Sequence, residues 1–98
     1  MEINGMQLPG FCVYVLLSLK DHKLYISYTS NFTRRMTEHR DGKTKSTAPR
    51  RPSIVIYCEF HRSKEDAMRR EYYFKTNPGK KTLSLMLRES RSVLKQIT

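Results

Sequence analysis

Phe11-Cys12-Val13-Tyr14-Val15-Leu16-Leu17-Ser18-Leu19 is followed by Lys20-Asp21-His22-Lys23 and then by Leu24-Tyr25-Ile26-Ser27-Tyr28. The first run is apolar on both alternating sets, which suits a central strand covered on both faces. In the second run Leu24, Ile26 and Tyr28 alternate with Tyr25 and Ser27, which suits a less buried neighbour. The short polar connection makes the two an antiparallel hairpin. Tyr14 interrupts the otherwise apolar run.

Working outward, residues 1–10 contain Gly5, Pro9 and Gly10, show no periodicity and read as a loose leader. Ser30 or Thr29 can cap a helix that runs to about Asp41, where Gly42 is a natural stop. Phe32, Met36 and His39 share one face of that helix, with Arg35 at its edge. Residues 43–52 read as an exposed basic loop with two prolines. Ile54, Ile56, Cys58 and Phe60 then alternate with Val55, Tyr57 and Glu59 as a third strand. Ser63 with Asp66 resembles a capping box for a helix running to about Thr76, before Pro78-Gly79 breaks it. Asn77 reads as a cap. Leu83, Met86, Leu87, Ser90, Leu94 and Ile97 follow a helical period, so one last amphipathic helix closes the chain. The expected fold is α+β, a three-stranded antiparallel sheet flanked by helices in the order ββαβαα. A single domain over 11–98 follows from the length.

The 98 residues carry a formal charge of +10, with 38% apolar and 10% aromatic residues. That composition is globular rather than disordered. Residues 1–30 are neutral, whereas residues 31–52 hold seven basic and two acidic side chains. The excess begins at the Arg35 helix and peaks in the loop after it, which favours a polyanionic partner. Cys12 and Cys58 lack metal-ligand spacing and fall in strand-like runs, so both read as reduced core cysteines. The apolar run from Phe11 to Leu19 is too short to span a bilayer. A cytoplasmic protein is expected, with no membrane partner.

Five polar side chains stand where core or plain surface residues are usual: Tyr14, Tyr25, Arg35, His39 and Glu71. Glu71 lies on the helical stripe of Ala67 and Phe74, where a carboxylate needs a cation. That cation is either a metal ion or a neighbouring Arg69, Arg70 or Lys75. Arg35 and His39 sit one helical turn apart and can face one cleft. A guanidinium binds phosphate through two hydrogen bonds, and an imidazole relays protons near neutral pH. The two tyrosines bring a hydroxyl at the end of a rigid ring, though a phenol is a poor base unless a cation lowers its pKa.

This order of elements and residues resembles the GIY-YIG nuclease superfamily, most of all its small single-domain bacterial branch. Val13-Tyr14-Val15 stands where that family has its GIY-type strand, and Leu24-Tyr25-Ile26-Ser27 where it has YIG. The two tyrosines are eleven apart, as in that family. The helix with Arg35 and His39, the basic loop and the helix with Glu71 follow in the family's order, over about residues 11 to 90. The resemblance implies metal-dependent endonuclease cleavage of DNA, with Tyr14, Tyr25, Arg35 and His39 catalytic and Glu71 binding Mg²⁺ or another divalent metal such as Mn²⁺. One tyrosine would help to activate the attacking water. Lys43, Lys45, Arg50 and Arg51 would hold the nucleic-acid backbone, contacts that position a substrate without reading its sequence. Low sequence specificity is therefore expected.

Ser27 departs from the family, which has glycine there. Two rival readings follow: a non-catalytic nucleic-acid-binding module of the same fold, and a basic protein that docks a protein partner through its last helix. The nuclease reading carries a geometric expectation, that Tyr14, Tyr25, Arg35, His39 and Glu71 line one concave face.

Overall fold

The computed structural model describes residues 2–97, with side chains as far as Gln96. The side chain of Ile97, expected on the last amphipathic stripe, lies outside the described residues, as do Met1 and Thr98. Two short strands, β1 (Glu2–Ile3) and β2 (Met6–Gln7), open the chain. They are followed by β3 (Phe11–Ser18), β4 (Leu24–Thr29), α1 (Phe32–Arg40), a 3₁₀ turn at Ala48–Arg50, β5 (Ser53–His61), α2 (Lys64–Lys75), α3 (Asn77–Met86) and α4 (Arg88–Ile97). The main sheet is antiparallel with order β4-β3-β5. The α+β architecture read from the sequence holds, with β3 central and its residues from Cys12 to Ser18 all buried.

Alternation along β3 divides the interior in two. Val13 and Val15 pack with Ala67 and Phe74 of α2, Leu83 of α3, and Leu87 between α3 and α4. Cys12, Tyr14 and Leu16 point the other way, against Tyr25, Phe32 and Met36. The three C-terminal helices thus cover one face of the sheet and α1 the other. On the first face Glu59 accepts from the Tyr57 hydroxyl at 2.8 Å and from Arg70 Nε at 3.0 and 3.1 Å, and lies 2.6 Å from His61. Burial raises the Glu59 pKa, but these hydrogen bonds outweigh it and hold the carboxyl below its usual range. The Arg70–Glu59 pair ties α2 to β5, and the Arg70 guanidinium also lies 4.2 Å from the centre of the Phe74 ring on its own helix.

Several local readings are corrected. The leader is not featureless. Asn4 (φ 51°) and Gly5 (φ 77°) make the turn of a two-residue hairpin, and Arg62 donates to the Gln7 carbonyl at 3.1 Å. Asn31 caps α1 by accepting from Arg34 N at 3.1 Å, while Thr29 Oγ1 accepts from Asn31 N instead. Cys58 is exposed, because β5 is an edge strand; Cys12 is buried and both thiols are free. An irregularity at Ile56 pairs Tyr57 with Val15 but Val55 with Leu16, so the alternation of β5 changes phase there. The final amphipathic stretch forms two helices, α3 and α4, with Leu87 as the C-cap of α3. On α4 Val93 remains exposed.

α2 ends at Lys75 as expected, and Pro78-Gly79 goes on to open α3 at once. Proline is tolerated in a first turn because its missing N–H has no helical acceptor there. The cap is Thr76, whose Oγ1 accepts from Gly79 N at 3.1 Å; Asn77 is the first helical residue. Gly79 is buried so tightly that an added Cβ would lie 1.7 Å from the Tyr73 carbonyl oxygen. Gly79→Ala is therefore expected to force α2 and α3 apart at a cost of about 1–3 kcal/mol. Thermal denaturation should show a clear drop in Tm, whereas Gly10→Ala, where nothing lies within 4 Å, should leave Tm unchanged.

Candidate active site

Tyr14 is fully buried at the middle of the central strand. Its cross-strand neighbours are Ser27 on β4 and Cys58 on β5. The phenol cannot reach water, so its oxygen must be satisfied internally. α1 supplies both partners. Phe32 and Met36 seat the helix on Cys12, Tyr14 and Leu16, and the same face carries His39 over the phenol. The Tyr14 oxygen lies 2.8 Å from His39 Nε2, and Arg35 Nε donates to it at 3.4 Å.

His39 is itself buried, only 5% exposed. Its Nδ1 lies 2.8 Å from Thr47 Oγ1. Arg35 can only donate to the phenol oxygen, so the phenol's own proton is directed to Nε2. Nδ1 then carries the ring proton, and Thr47 Oγ1 accepts it. Among the described residues no buried side-chain nitrogen or oxygen lacks a partner. Tyr25 completes the group through its ring, 5.4 Å from the His39 ring and 6.3 Å from that of Tyr14.

The charges around the phenol oppose one another. Burial pushes the Tyr14 pKa above its ordinary value, against hydrogen bonds from Arg35 and Ser27 that pull it down. Burial also lowers the His39 pKa, and the Arg35 charge lowers it further. The imidazole is thereby kept neutral and able to accept a proton. Ser27, the departure in the motif, lies directly across from Tyr14 on β4. Arg35 is half-buried at the mouth of the group, 3.3 Å from the Glu38 carboxylate.

Glu71 is not joined to this group by any hydrogen bond or ion pair found among the described residues. Its helix packs through Ala67 and Phe74 on the Val13–Val15 face, so the five residues do not all stem from one face of the sheet. The cation beside it is Lys75, at 3.4 Å, one helical turn away. No cluster of three or more His, Cys, Asp or Glu side chains suited to a metal occurs among the described residues. A single carboxylate is nevertheless enough for Mg²⁺ when phosphate oxygens and water complete its shell, and Glu71 fits that role once Lys75 releases it.

The basic loop is more structural than its composition suggests. Lys43 and Lys45 are exposed. Arg50 pairs with Asp21 at 3.2 Å, and Arg51 donates to the carbonyls of Ala48 and Arg40 at 3.0 and 3.2 Å. Thr47, in the same loop, went unmarked in the sequence because nothing separates it there from Thr44 or Ser46. Its sole signal is the buried histidine that needs a second partner.

Comparison with known proteins identifies the family. The model of the GIY-YIG catalytic domain matches residues 10–84. The chain belongs to the GIY-YIG family, and its domain is of nuclease type. It is 41% identical over 75 residues to the UPF0213 protein SH2523 of Staphylococcus haemolyticus, covering 76% of this chain and 90% of that one. It is 38% identical over 80 residues to the UPF0213 protein YazA of Bacillus subtilis, covering 81% and 80%. The solution NMR structure of the UPF0213 protein BH0048 from Bacillus halodurans shares 35% identity, covers 78% of this chain and 83% of that one, and gives a TM-score of 0.49.

The hydrogen-bond chain has a pH signature. The folded ring holds a proton less tightly than an exposed imidazole, whose pKa is about 6.5. The unfolded state therefore binds more protons as pH falls below that value, and stability is lost there. Urea melts of wild type are expected to lose stability between about pH 6.5 and 5 that His39→Gln retains. Thr47→Val leaves Nδ1–H without an acceptor and should cost about 1–3 kcal/mol at pH 7.5 in the same melts.

Proposed function

We propose that the chain is a cytoplasmic endonuclease that hydrolyses DNA phosphodiester bonds with the help of a divalent metal and with little sequence preference. The observation that carries this is the buried Tyr14 phenol, held between the lone pair of His39 and the guanidinium of Arg35, in a chain of the GIY-YIG family. Arg35 lies on the phenol oxygen at its outer side; when a phosphate draws the guanidinium outward, the attacking water reaches the Tyr14 oxygen and gives it a proton as the phenol's own passes to His39 Nε2. Arg35 donates to the phenol oxygen and lies half-exposed, so it favours the phenolate and offers its outer N–H groups to a phosphate. Thr47 holds the imidazole in the accepting tautomer. Tyr25 packs on the ring and contributes a second phenol at the rim of the group. Mg²⁺ or Mn²⁺, when bound, supplies stabilisation of the charge on the leaving oxygen. Glu71 is the carboxylate to hold it. Lys43 and Lys45 guide the DNA backbone, while Arg50 and Arg51 shape the loop.

Ser27 stands directly across from Tyr14 on β4 and leaves the phenol's contacts with His39 and Arg35 in place, which supports an active site rather than a disabled one. The test is plasmid nicking with and without Mg²⁺, by wild type and Glu71→Gln. Glu71→Gln keeps shape and polarity but removes the charge that holds the metal. Wild type is expected to nick only with metal and the variant not at all. Metal-free DNA binding should be kept by both, and log K should fall with log salt at a slope of about −3, as for three or four neutralised phosphates. Nicking by the variant at the wild-type rate would remove Glu71 from the mechanism. Binding without any nicking by either protein would favour a non-catalytic nucleic-acid-binding module.

A further inference from the structure

His39 also lines a cleft of about 540 Å³ between α1, the 43–52 loop and β5. That volume is in the range of small-ligand pockets, roughly 300–1,000 Å³. Its floor is apolar, with Leu16, Met36 and Val55, and its rim is cationic, with Arg40 and Arg51. No carboxylate lines it, although Arg40 pairs with Asp41 at 3.1 Å beside it. An acyl chain or an apolar peptide side chain would use the floor and leave the Arg51 guanidinium unmatched. A nucleotide would use both.

Arg51 is built as a flat surface rather than as a mobile clamp. Two backbone carbonyls, of Ala48 and Arg40, fix its edge. A Cβ placed on Gly42 would lie 2.7 Å from Cζ and 2.8 and 2.9 Å from the terminal nitrogens. Approach nearest to the central carbon, with both nitrogens almost equally near, means that the backbone of Gly42 meets the face of the guanidinium. Gly42 has φ +76°, so the residue both ends α1 and makes room for this plane. One face of Arg51 rests on Gly42, and the side chain also lines the cleft. A guanidinium plane held in this way is a stacking platform for a π-system.

We propose that this cleft receives one unstacked nucleobase of the DNA, next to the phosphodiester that faces Tyr14 and Arg35. The inference rests on the nuclease reading and adds a base-binding subsite to it. His39 is the wall common to both, so a nucleotide entering the cleft brings its neighbouring phosphate toward the phenol. Recognition is by stacking on Arg51 and by apolar contact with Met36 and Val55. Every base has a π-face, so the subsite tolerates any sequence. Its substrates are strands whose bases can leave the stack.

The test uses the full chain in EDTA and two 12-nucleotide strands, one entirely abasic and one abasic except for a single central adenine. Fluorescence anisotropy should give wild type about tenfold tighter binding to the adenine strand, the scale of one stacked base. Ala48→Trp, which fills the cleft, should bind both strands with the affinity of the abasic one. Circular dichroism checks its fold, and Val55→Phe serves as a second filled-cleft variant. Equal affinity of wild type for both strands overturns the proposal, as does an adenine preference that survives in both folded variants. The two readings fail separately. Equal affinities together with intact Mg²⁺-dependent nicking would remove the base subsite and leave the nuclease. An adenine preference without nicking would keep the subsite and remove the catalytic reading.

Discussion

A phenol buried at the centre of a strand covered on both faces constrains much of this fold. Leaving the Tyr14 hydroxyl unpaired there would cost a large part of the few kcal/mol that hold a domain of this size together. His39 must therefore sit over it, which fixes the register of α1 on β3. His39 in turn needs Thr47, which fixes the loop. The loop is pinned at its far end as well, where the Ser18 hydroxyl donates to the Arg50 carbonyl at 2.7 Å and Leu19 N donates to the Pro52 carbonyl at 2.8 Å. Each element around the group is thus held by a polar contact that the phenol directly or indirectly requires. Pre-set geometry of this kind favours catalysis, because the dipoles need no rearrangement when charge develops.

The two faces of the sheet divide the work. The face under α1 and the loop holds the phenol, the imidazole and the guanidinium. The face under α2 and α3 holds the larger apolar cluster and the Glu59 hub, in which Tyr57, His61 and Arg70 converge on one carboxylate. That hub occupies Arg70, so Glu71 is left to Lys75, the more exposed and more easily displaced cation. A carboxylate with a weak, flexible partner suits a ligand that must exchange between its resting contact and an incoming ion.

Much of the architecture was legible because it follows from burial. The doubly apolar β3, the hairpin to β4 and the Phe32–Met36–His39 stripe all announce themselves through periodicity. The misses have a common physical origin in contacts that periodicity does not encode. Cys58 reads as core from its alternation with Ile54 and Ile56, but β5 is an edge strand and leaves it exposed. Pro78-Gly79 appeared to be a break because that dipeptide marks turns, whereas here it fills a first helical turn and a close helix contact. Thr47 and Arg51 lay hidden in a loop whose charge dominated its reading, although one is buried and the other is tied to carbonyls. Of the site, the four residues from β3, β4 and α1 were legible as a group, since hairpin and helix follow one another closely. Glu71 was legible as an oddity on its stripe, but its place in the other layer was not.

The central claim is that the Tyr14 hydroxyl takes part in the proton transfer and does more than fill the core. The most direct measurement is the single-turnover cleavage rate of Tyr14→Phe at saturating DNA, beside wild type, with Kd and circular dichroism on the same samples. Phenylalanine keeps the ring and its packing and removes only the oxygen that links His39 to Arg35. The account requires a rate at least about 10²-fold lower with Kd and fold unchanged. Cleavage by Tyr14→Phe at the wild-type rate would contradict it.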